Sequence, residues 1–217
     1  MAKINAINNK SEELTIDPGA SGDSFIQFDI NTTGEFRIGV DDTDSDKFKI
    51  SQGSALGTND TFEITANGEI TKELTSAFLA TTNGYTNQDN VTGDGTVHTV
   101  EYTTEYFDQN ADFDGTSTFT APVTGRYRIC ATVLFDEAGA ATSSYIEIEA
   151  SNRTFRSWLC DPSTVSHAAG QFTPFITALV DMDASDTAII KVMASGTTKV
   201  VDIGFTNRGI FSAVLVC

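Results

Sequence analysis

Phe119-Thr120-Ala121-Pro122-Val123-Thr124-Gly125-Arg126-Tyr127, running on through Arg128-Ile129-Cys130-Ala131-Thr132-Val133-Leu134-Phe135, is the stretch from which the fold is read. Its second half alternates, with Ile129, Ala131 and Val133 on one side, which is the period of a half-buried β-strand. Its first half is a turn between two aromatic anchors. Pro122 fixes φ and Gly125 permits a sharp return, so Phe119 and Tyr127 are expected to bury on either side of it. The same alternation recurs in Tyr145-Ile146-Glu147-Ile148-Glu149 and over 97–102, 173–180 and 189–193. The chain closes on Phe211-Ser212-Ala213-Val214-Leu215-Val216, an apolar strand predicted to lie centrally and to be buried on both faces. No window carries a helical stripe at i, i+3, i+4, i+7. Roughly eight to ten strands after residue 76, with turn residues between them, predict a β-sandwich.

The whole chain agrees with an all-β reading. Threonine is abundant, and there are 15 Phe, 17 Gly and only 4 Pro among 217 residues. Threonine and aromatics suit a pleated surface, while glycine, Asn and Asp supply turns. The net charge is −17, which repels phosphate and speaks against nucleic acid as a partner. No apolar run is long enough to span a membrane, so membrane insertion is not expected. Met1-Ala2-Lys3-Ile4-Asn5 lacks the apolar core of a signal peptide, so Sec export is not expected either. The cysteines, at 130, 160 and 217, form neither a disulfide framework nor a zinc spacing. Cys130 falls in a strand pattern and reads as a small buried apolar residue.

Three segments follow from composition. Residues 1–24 are a polar arm, either a disordered leader or an anchor that orders on a partner. Ile4, Ile7, Leu14 and Ile16 favour the anchor. Residues 25–75 repeat Phe-x-Ile four times, as Phe28-Asp29-Ile30, Phe36-Arg37-Ile38, Phe48-Lys49-Ile50 and Phe62-Glu63-Ile64. Each is a short strand with one apolar face, separated from the next by turn chemistry. So small a meander buries too little to be stable alone, and identical copies around an axis would cover its apolar faces. The alternative is packing on the rest of the same chain. Residues 76–217 are the sandwich.

The motif Phe119-x-Ala121-Pro122-x-x-Gly125-x-Tyr127 resembles the signature of the C1q/TNF-like family. Glu105-Tyr106-Phe107-Asp108, Asp112-Phe113-Asp114-Gly115 and the closing Phe211-Ser212-Ala213-Val214-Leu215 extend the resemblance. So does the turn Asp181-Met182-Asp183-Ala184-Ser185-Asp186. Ser185 and Ala213 stand where the family usually has glycine. The resemblance implies a ten-strand jelly roll, assembled as a homotrimer and serving as a recognition head. The run from Phe36 to Gly57, followed by Phe62 to Gly68, resembles modules of bacteriophage tail-fibre and related virion proteins, which implies a trimeric β-prism shaft. The shaft core would then be Phe28, Ile30, Phe36, Ile38, Phe48, Ile50, Phe62 and Ile64.

Catalytic motifs are missing. His98 and His167 fall in different elements, and neither a nucleophile elbow, a P-loop nor a zinc-protease motif occurs. An enzyme is therefore not expected, nor is an organic cofactor. Asp42-Thr43-Asp44-Ser45-Asp46 begins like an EF-hand loop but has Lys47 at the sixth position and Gly53 at the twelfth. Asp42, Asp44 and Asp46 are thus a Ca²⁺ candidate only when copies come together, and otherwise a solvated turn. Trp158 reads as a packing residue or as a ligand-facing aromatic. Loops 83–96 and 161–170 are the longest on the sandwich and the candidates for receptor contact.

These readings converge on a virion protein made in the host bacterial cytoplasm: arm, shaft and C1q-like head. Its partners would be two further copies, other virion proteins through the arm, and a host-surface receptor, saccharide or protein. The alternatives are a capsid decoration protein with a protruding head and a bacterial lectin-like adhesin.

Overall fold

The computed structural model describes residues 16, 22–29, 35–84, 88–151, 153–158, 161–165 and 167–217. Most of the 1–24 arm, Ile30 and Cys160 lie outside the described residues. The chain forms two compact units, Met1–Leu74 and Thr75–Cys217.

The first unit is one antiparallel meander, with strands β1 (Ser24–Asp29), β2 (Glu35–Asp41), β3 (Lys47–Gln52), β4 (Asp60–Ile64) and β5 (Ile70–Thr71) in spatial order. A short 3₁₀ turn, Asp42–Asp44, links β2 to β3, with Asp41 accepting from the Thr43 amide as its cap. A bulge between Ile50 and Ser51 shifts the β3–β4 register. β1 crosses β2 closely at Gly39, where a Cβ would lie 2.0 Å from the Ser24 carbonyl oxygen, so only glycine fits.

The described residues of the second unit form a jelly-roll sandwich of ten strands and a separate ribbon of two. Its elements are β6 (Ala77–Thr81), β7 (Val97–Thr99), β8 (Thr104–Asp108), β9 (Phe119–Thr120), β10 (Gly125–Thr132) and β11 (Phe135–Asp136). After them come β12 (Ser143–Ala150), β13 (Arg153–Trp158), β14 (Phe175–Met182), β15 (Thr187–Ser195), β16 (Asp202–Ile203) and β17 (Ile210–Leu215). One sheet has the order β14-β10-β17-β6-β8. The other runs β13-β12-β15, with β7 and β9 each pairing a different stretch of β15. β11 and β16 form a small ribbon of their own.

Alternation puts one face of each sheet inside. Ile129 and Ala131 of β10, Ile146 and Ile148 of β12, and Ile190 and Val192 of β15 are all fully buried. At one end the aromatics gather around Phe78. Its ring stacks on Phe113 at 4.7 Å and on Phe119 at 5.4 Å, and meets Phe211 edge-on at 4.9 Å. Phe119 in turn packs on Tyr127 at 5.3 Å, whose hydroxyl donates to the Val123 carbonyl at 2.7 Å and closes the turn between them. Ala121 is fully buried, while Pro122 is exposed on the same turn.

Three local expectations need correcting. Gly125 is required for space rather than for a sharp return, because a Cβ there would lie 2.7 Å from Leu215 Cδ1 and 2.9 Å from the Cys217 carbonyl oxygen. β17 is central, but it is buried on one face only. Phe211 and Ala213 point into the core while Ile210 and Val214 stay exposed. Cys130 likewise sits on the outward face of β10 and is only half-buried, beside Thr177 Oγ1 at 3.1 Å. In both cases the described residues of the second unit add no covering layer on that side. Ser185 holds the backbone of a glycine at φ 75°, and the Cβ of Ala213 is accommodated within the core.

Removing the ring of Phe119 would open a cavity between Phe78 and Tyr127. Phe119→Ala should lower the stability of the second unit by about 3–5 kcal/mol. Chemical denaturation followed through Trp158 fluorescence reads this directly, and a loss below about 1 kcal/mol would contradict the packing described.

Candidate functional site

The first unit turns its charges inward and its apolar side chains outward. The register places Phe28, Phe36 and Gln52 side by side, then Ile26, Ile38, Ile50 and Phe62, then Val40, Phe48, Ile64 and Ile70. These residues share one face of the sheet. Phe28 is 57% exposed, Phe36 43% and Ile70 60%, while Ile38, Phe48, Ile50, Phe62 and Ile64 are half-buried. The structure thus brings seven of the eight residues expected in a shaft core onto one open face; the eighth, Ile30, lies outside the described residues.

The opposite face holds an ion cage. The ammonium of Lys49, only 3% exposed, lies 2.6 Å from Asp44 Oδ2, 3.0 Å from Asp41 Oδ2, 3.1 Å from Asp60 Oδ2 and 3.6 Å from Glu63 Oε2. Lys47 bridges Asp44 at 3.1 Å and Glu63 at 3.5 Å on the same face. Asp60 also accepts from the Ser51 hydroxyl at 2.5 Å and from the Gly57 amide at 3.1 Å, which ties the loop after β3 to the cage. Leu56 of that loop is buried. Burial would by itself raise the Asp41 carboxyl, but hydrogen bonds from Lys49 and Thr43 outweigh it and hold the group below its ordinary value. Hydrogen bonds from Lys49 and then Lys47 hold Asp44 low as well. Burial alone would depress Lys49; its bonds to Asp44, Asp41 and Asp60 instead push it far above the usual ammonium value.

Asp42, Asp44 and Asp46 do not form a ligand set here. Asp44 faces the two lysines, Asp42 accepts from the Gly22 amide, and Asp46 is exposed at a left-handed φ of 57°. Among the described residues no group of three His, Cys, Asp or Glu side chains is placed to hold a metal ion. Sequence reasoning missed the cage because it read the polar middle residues of the Phe-x-Ile repeats as solvent-facing. The signal was present: Lys49 and Glu63 are cross-strand partners of opposite charge.

The second unit carries two unlike outer faces. On the β14-β10-β17-β6-β8 sheet, Leu179, Val214, Leu79, Phe107, Phe175 and Ile210 face outward around Arg128. Phe107, Phe175 and Leu179 are at least half exposed, and Leu79, Phe107 and Val214 border a shallow apolar cleft of about 320 Å³. On the other sheet, Trp158, Tyr145, Met193 and Val97 form one cross-strand row, and Arg156, Glu147, Lys191 and Thr99 form the next. Trp158 is 62% exposed, so it does not belong to the core of its own unit.

The two candidate loops are tied down. Thr92 Oγ1 donates to Thr96 O at 2.6 Å and accepts from the Ala194 amide at 2.8 Å, and Gln88 is buried. In 161–170, Asp161 caps the turn Pro162–Thr164, and Gly170 packs directly on Gly139. Residues 85–87 and 166 lie outside the described residues. His98 Nε2 is 3.4 Å from Gln88 Oε1, with burial holding its pKa below the ordinary value, and it lies far along the chain from the exposed His167.

The chain matches no family model, and no curated protein matches it in sequence. Among solved structures it is similar to the globular domain of zebrafish complement 1qA protein, at 15% identity and a TM-score of 0.48 over 66% of this chain and 98% of that one. It is similar to murine APRIL at 13% identity and a TM-score of 0.47, over 65% of this chain and 99% of that one. The PRD1 vertex protein P5 is similar at 12% identity and a TM-score of 0.47, over 76% of this chain and 91% of that one. The jelly-roll assignment itself stands on the strand order and register given above.

The cage makes the first unit sensitive to acid. Carboxyls held below their ordinary value stabilise the fold at neutral pH, and that stability is lost as pH falls through about 4 towards the lower folded values. Hydrogen-exchange protection of β3 and β4, taken relative to the intrinsic rate at each pH, should therefore fall between about pH 5 and pH 3. Lys49→Met, which strands the carboxylates, should cost about 3–5 kcal/mol at neutral pH. Unchanged protection of β3 and β4 in both experiments would show that the cage does not hold the sheet.

Proposed function

We propose that the chain is a non-enzymatic structural protein of a bacteriophage virion that assembles as a homotrimer. Residues 25–75 form its shaft, and the C1q/TNF-like jelly roll forms a head that contacts the host cell surface. The observation that carries this reading is the open apolar face of the first unit. A sheet whose charges are enclosed on one side has its greasy side left to bury, and within the described residues of the first unit nothing covers that side. Patches of this kind on soluble proteins mark interaction sites. Identical copies about an axis supply an equally apolar surface, and each well-buried ring contributes about 1.5–3 kcal/mol.

The outward face of the β14-β10-β17-β6-β8 sheet supports the same assembly. Its exposed Phe107, Phe175 and Leu179 lie around Arg128, with the exposed Arg126–Asp181 pair on the same face, and burial against another copy would remove the apolar groups from water. The resemblance of the Phe-x-Ile segment to virion fibre modules supports a role of this assembly in a phage particle, where the 1–24 arm would dock on other virion proteins.

Light scattering and cross-linking of the purified chain should give a trimer at micromolar concentration. Phe48→Asp would bring three carboxylates together in an apolar environment, which costs far more than the lost apolar area. Limited proteolysis of that variant should release a fragment beginning near residue 75. A well-folded monomer at micromolar concentration would overturn the proposal.

A further inference from the structure

The outer face of the β13-β12-β15-β7 sheet is unlike any other surface of the second unit. It begins with the row of Trp158, Tyr145, Met193 and Val97, in which Trp158 is 62% exposed and Val97 48%. Trp158 stands edge-on to Tyr145, with ring centroids 5.3 Å apart. The Arg156 guanidinium lies 4.0 Å over the Tyr145 ring and 5.7 Å from that of Trp158. It is locked there because its Nε and one terminal nitrogen both donate to Glu147 Oε2 at 2.6 Å. Next along the face, Lys191 pairs with Glu149 at 2.6 Å. Beyond them a polar cleft of about 390 Å³ is lined by Glu149, Ser151, Arg153, Thr154 and Thr187. The exposed Trp158 indole, with Tyr145 buried beneath Arg156, is therefore followed along β12 and β13 by a band of charged groups in which Glu147 is buried, and then by a polar cleft.

We infer that this face binds a neutral oligosaccharide. The inference rests on the reading of the second unit as a host-contacting head and names the ligand and the place. A pyranose ring is apolar on its C–H face and hydroxylated at its rim, so it stacks on an exposed indole while its hydroxyls seek fixed polar groups. The buried Glu147 holds the exposed Arg156 guanidinium in place, so little side-chain freedom is lost when a hydroxyl adds to it. The charges of the band cancel, with Arg156 and Lys191 facing Glu147 and Glu149. The chain as a whole carries −17, which disfavours an acidic polysaccharide. From Tyr145 to Ser151 the face runs about 20 Å at strand rise, room for several sugar rings in line. The ligand surface is then the sheet face itself.

Trp158 is the only tryptophan, so its emission reports the site in the unmodified full-length chain. Titration with maltohexaose and with N-acetylchitohexaose should give a saturable change in Trp158 emission with at least one of them. Calorimetry on Trp158→Ala, a substitution at an exposed position, should show that binding weakened tenfold or more with the melting temperature unchanged. No saturable response to either sugar overturns the inference. So does an emission that follows protein concentration in step with light scattering, which would mean that a second copy covers the row. Adsorption of the chain to bacterial cells separates the two readings. Adsorption that survives Trp158→Ala, without a sugar response, removes this site and keeps the host-contacting head. Sugar binding without adsorption keeps the site and removes the head's role at the host.

Discussion

Taking an ammonium out of water costs several kcal/mol unless carboxylates replace the lost hydration, and at Lys49 the first unit meets that demand with Asp41, Asp44, Asp60 and Glu63. Once these groups share one face, the alternation of a strand leaves no choice for their neighbours. Phe48 and Ile50 flank Lys49, and Phe62 and Ile64 flank Glu63, so all four must point the other way. The loop after β3 is drawn over the cage by the Gly57 amide and by Leu56. The open apolar face is thus the geometric consequence of a closed polar one.

That consequence distinguishes the two units energetically. The second unit has two sheets and buries an apolar face between them, so it has a core of its own in Phe78, Phe119, Tyr127, Phe211 and the alternating isoleucines. The first has one sheet, and its enclosed side is ionic. A buried ion pair is weak as a source of net stability, because attraction does little more than offset desolvation. It is, however, costly to break, which makes it well suited to fixing which face is which. The apolar contribution that such a sheet lacks has to come from what its other face meets.

Much of this was legible in the residues, and the rest was hidden for identifiable reasons. Period-two alternation gave the strands of the sandwich, and Phe119-Thr120-Ala121-Pro122-Val123-Thr124-Gly125-Arg126-Tyr127 gave the turn closed by the Tyr127 hydroxyl. The Phe-x-Ile repeat likewise gave the shared apolar face, because register follows from alternation and short turns. What a local pattern cannot carry is which layer lies over a face. Lys49 and Glu63 look solvated in sequence, yet the loop that joins their two strands covers them. Ile210 and Val214 look like core in an unbroken apolar strand, yet among the described residues of the second unit no layer covers their side of β17. Gly125 looked like a turn glycine, and only the approach of Leu215 and Cys217 shows that it is a glycine of close contact. Trp158 remained open to either reading until its row was assembled from four strands that are far apart in the chain.

The sandwich puts different chemistry on its two outer faces, and on the proposed reading this would separate assembly from recognition. One sheet shows aliphatic and aromatic side chains around Arg128, with one exposed Arg126–Asp181 pair on the same face, a surface whose burial gains mainly from area. The other sheet sets Trp158 beside an Arg156–Glu147 pair and a Lys191–Glu149 pair, whose directional groups are held in place by one another. A face of the first kind suits contact with an identical surface, where shape and apolar area suffice. A face of the second kind discriminates, because a ligand that buries those paired groups without offering hydrogen bonds leaves them unsatisfied at a cost of about 1–3 kcal/mol each. Both faces belong to the same two layers and share one core. The alternation that buries Ile129 and Ile146 therefore also decides that Arg128 and Glu147 point outward, each on its own side of the sandwich.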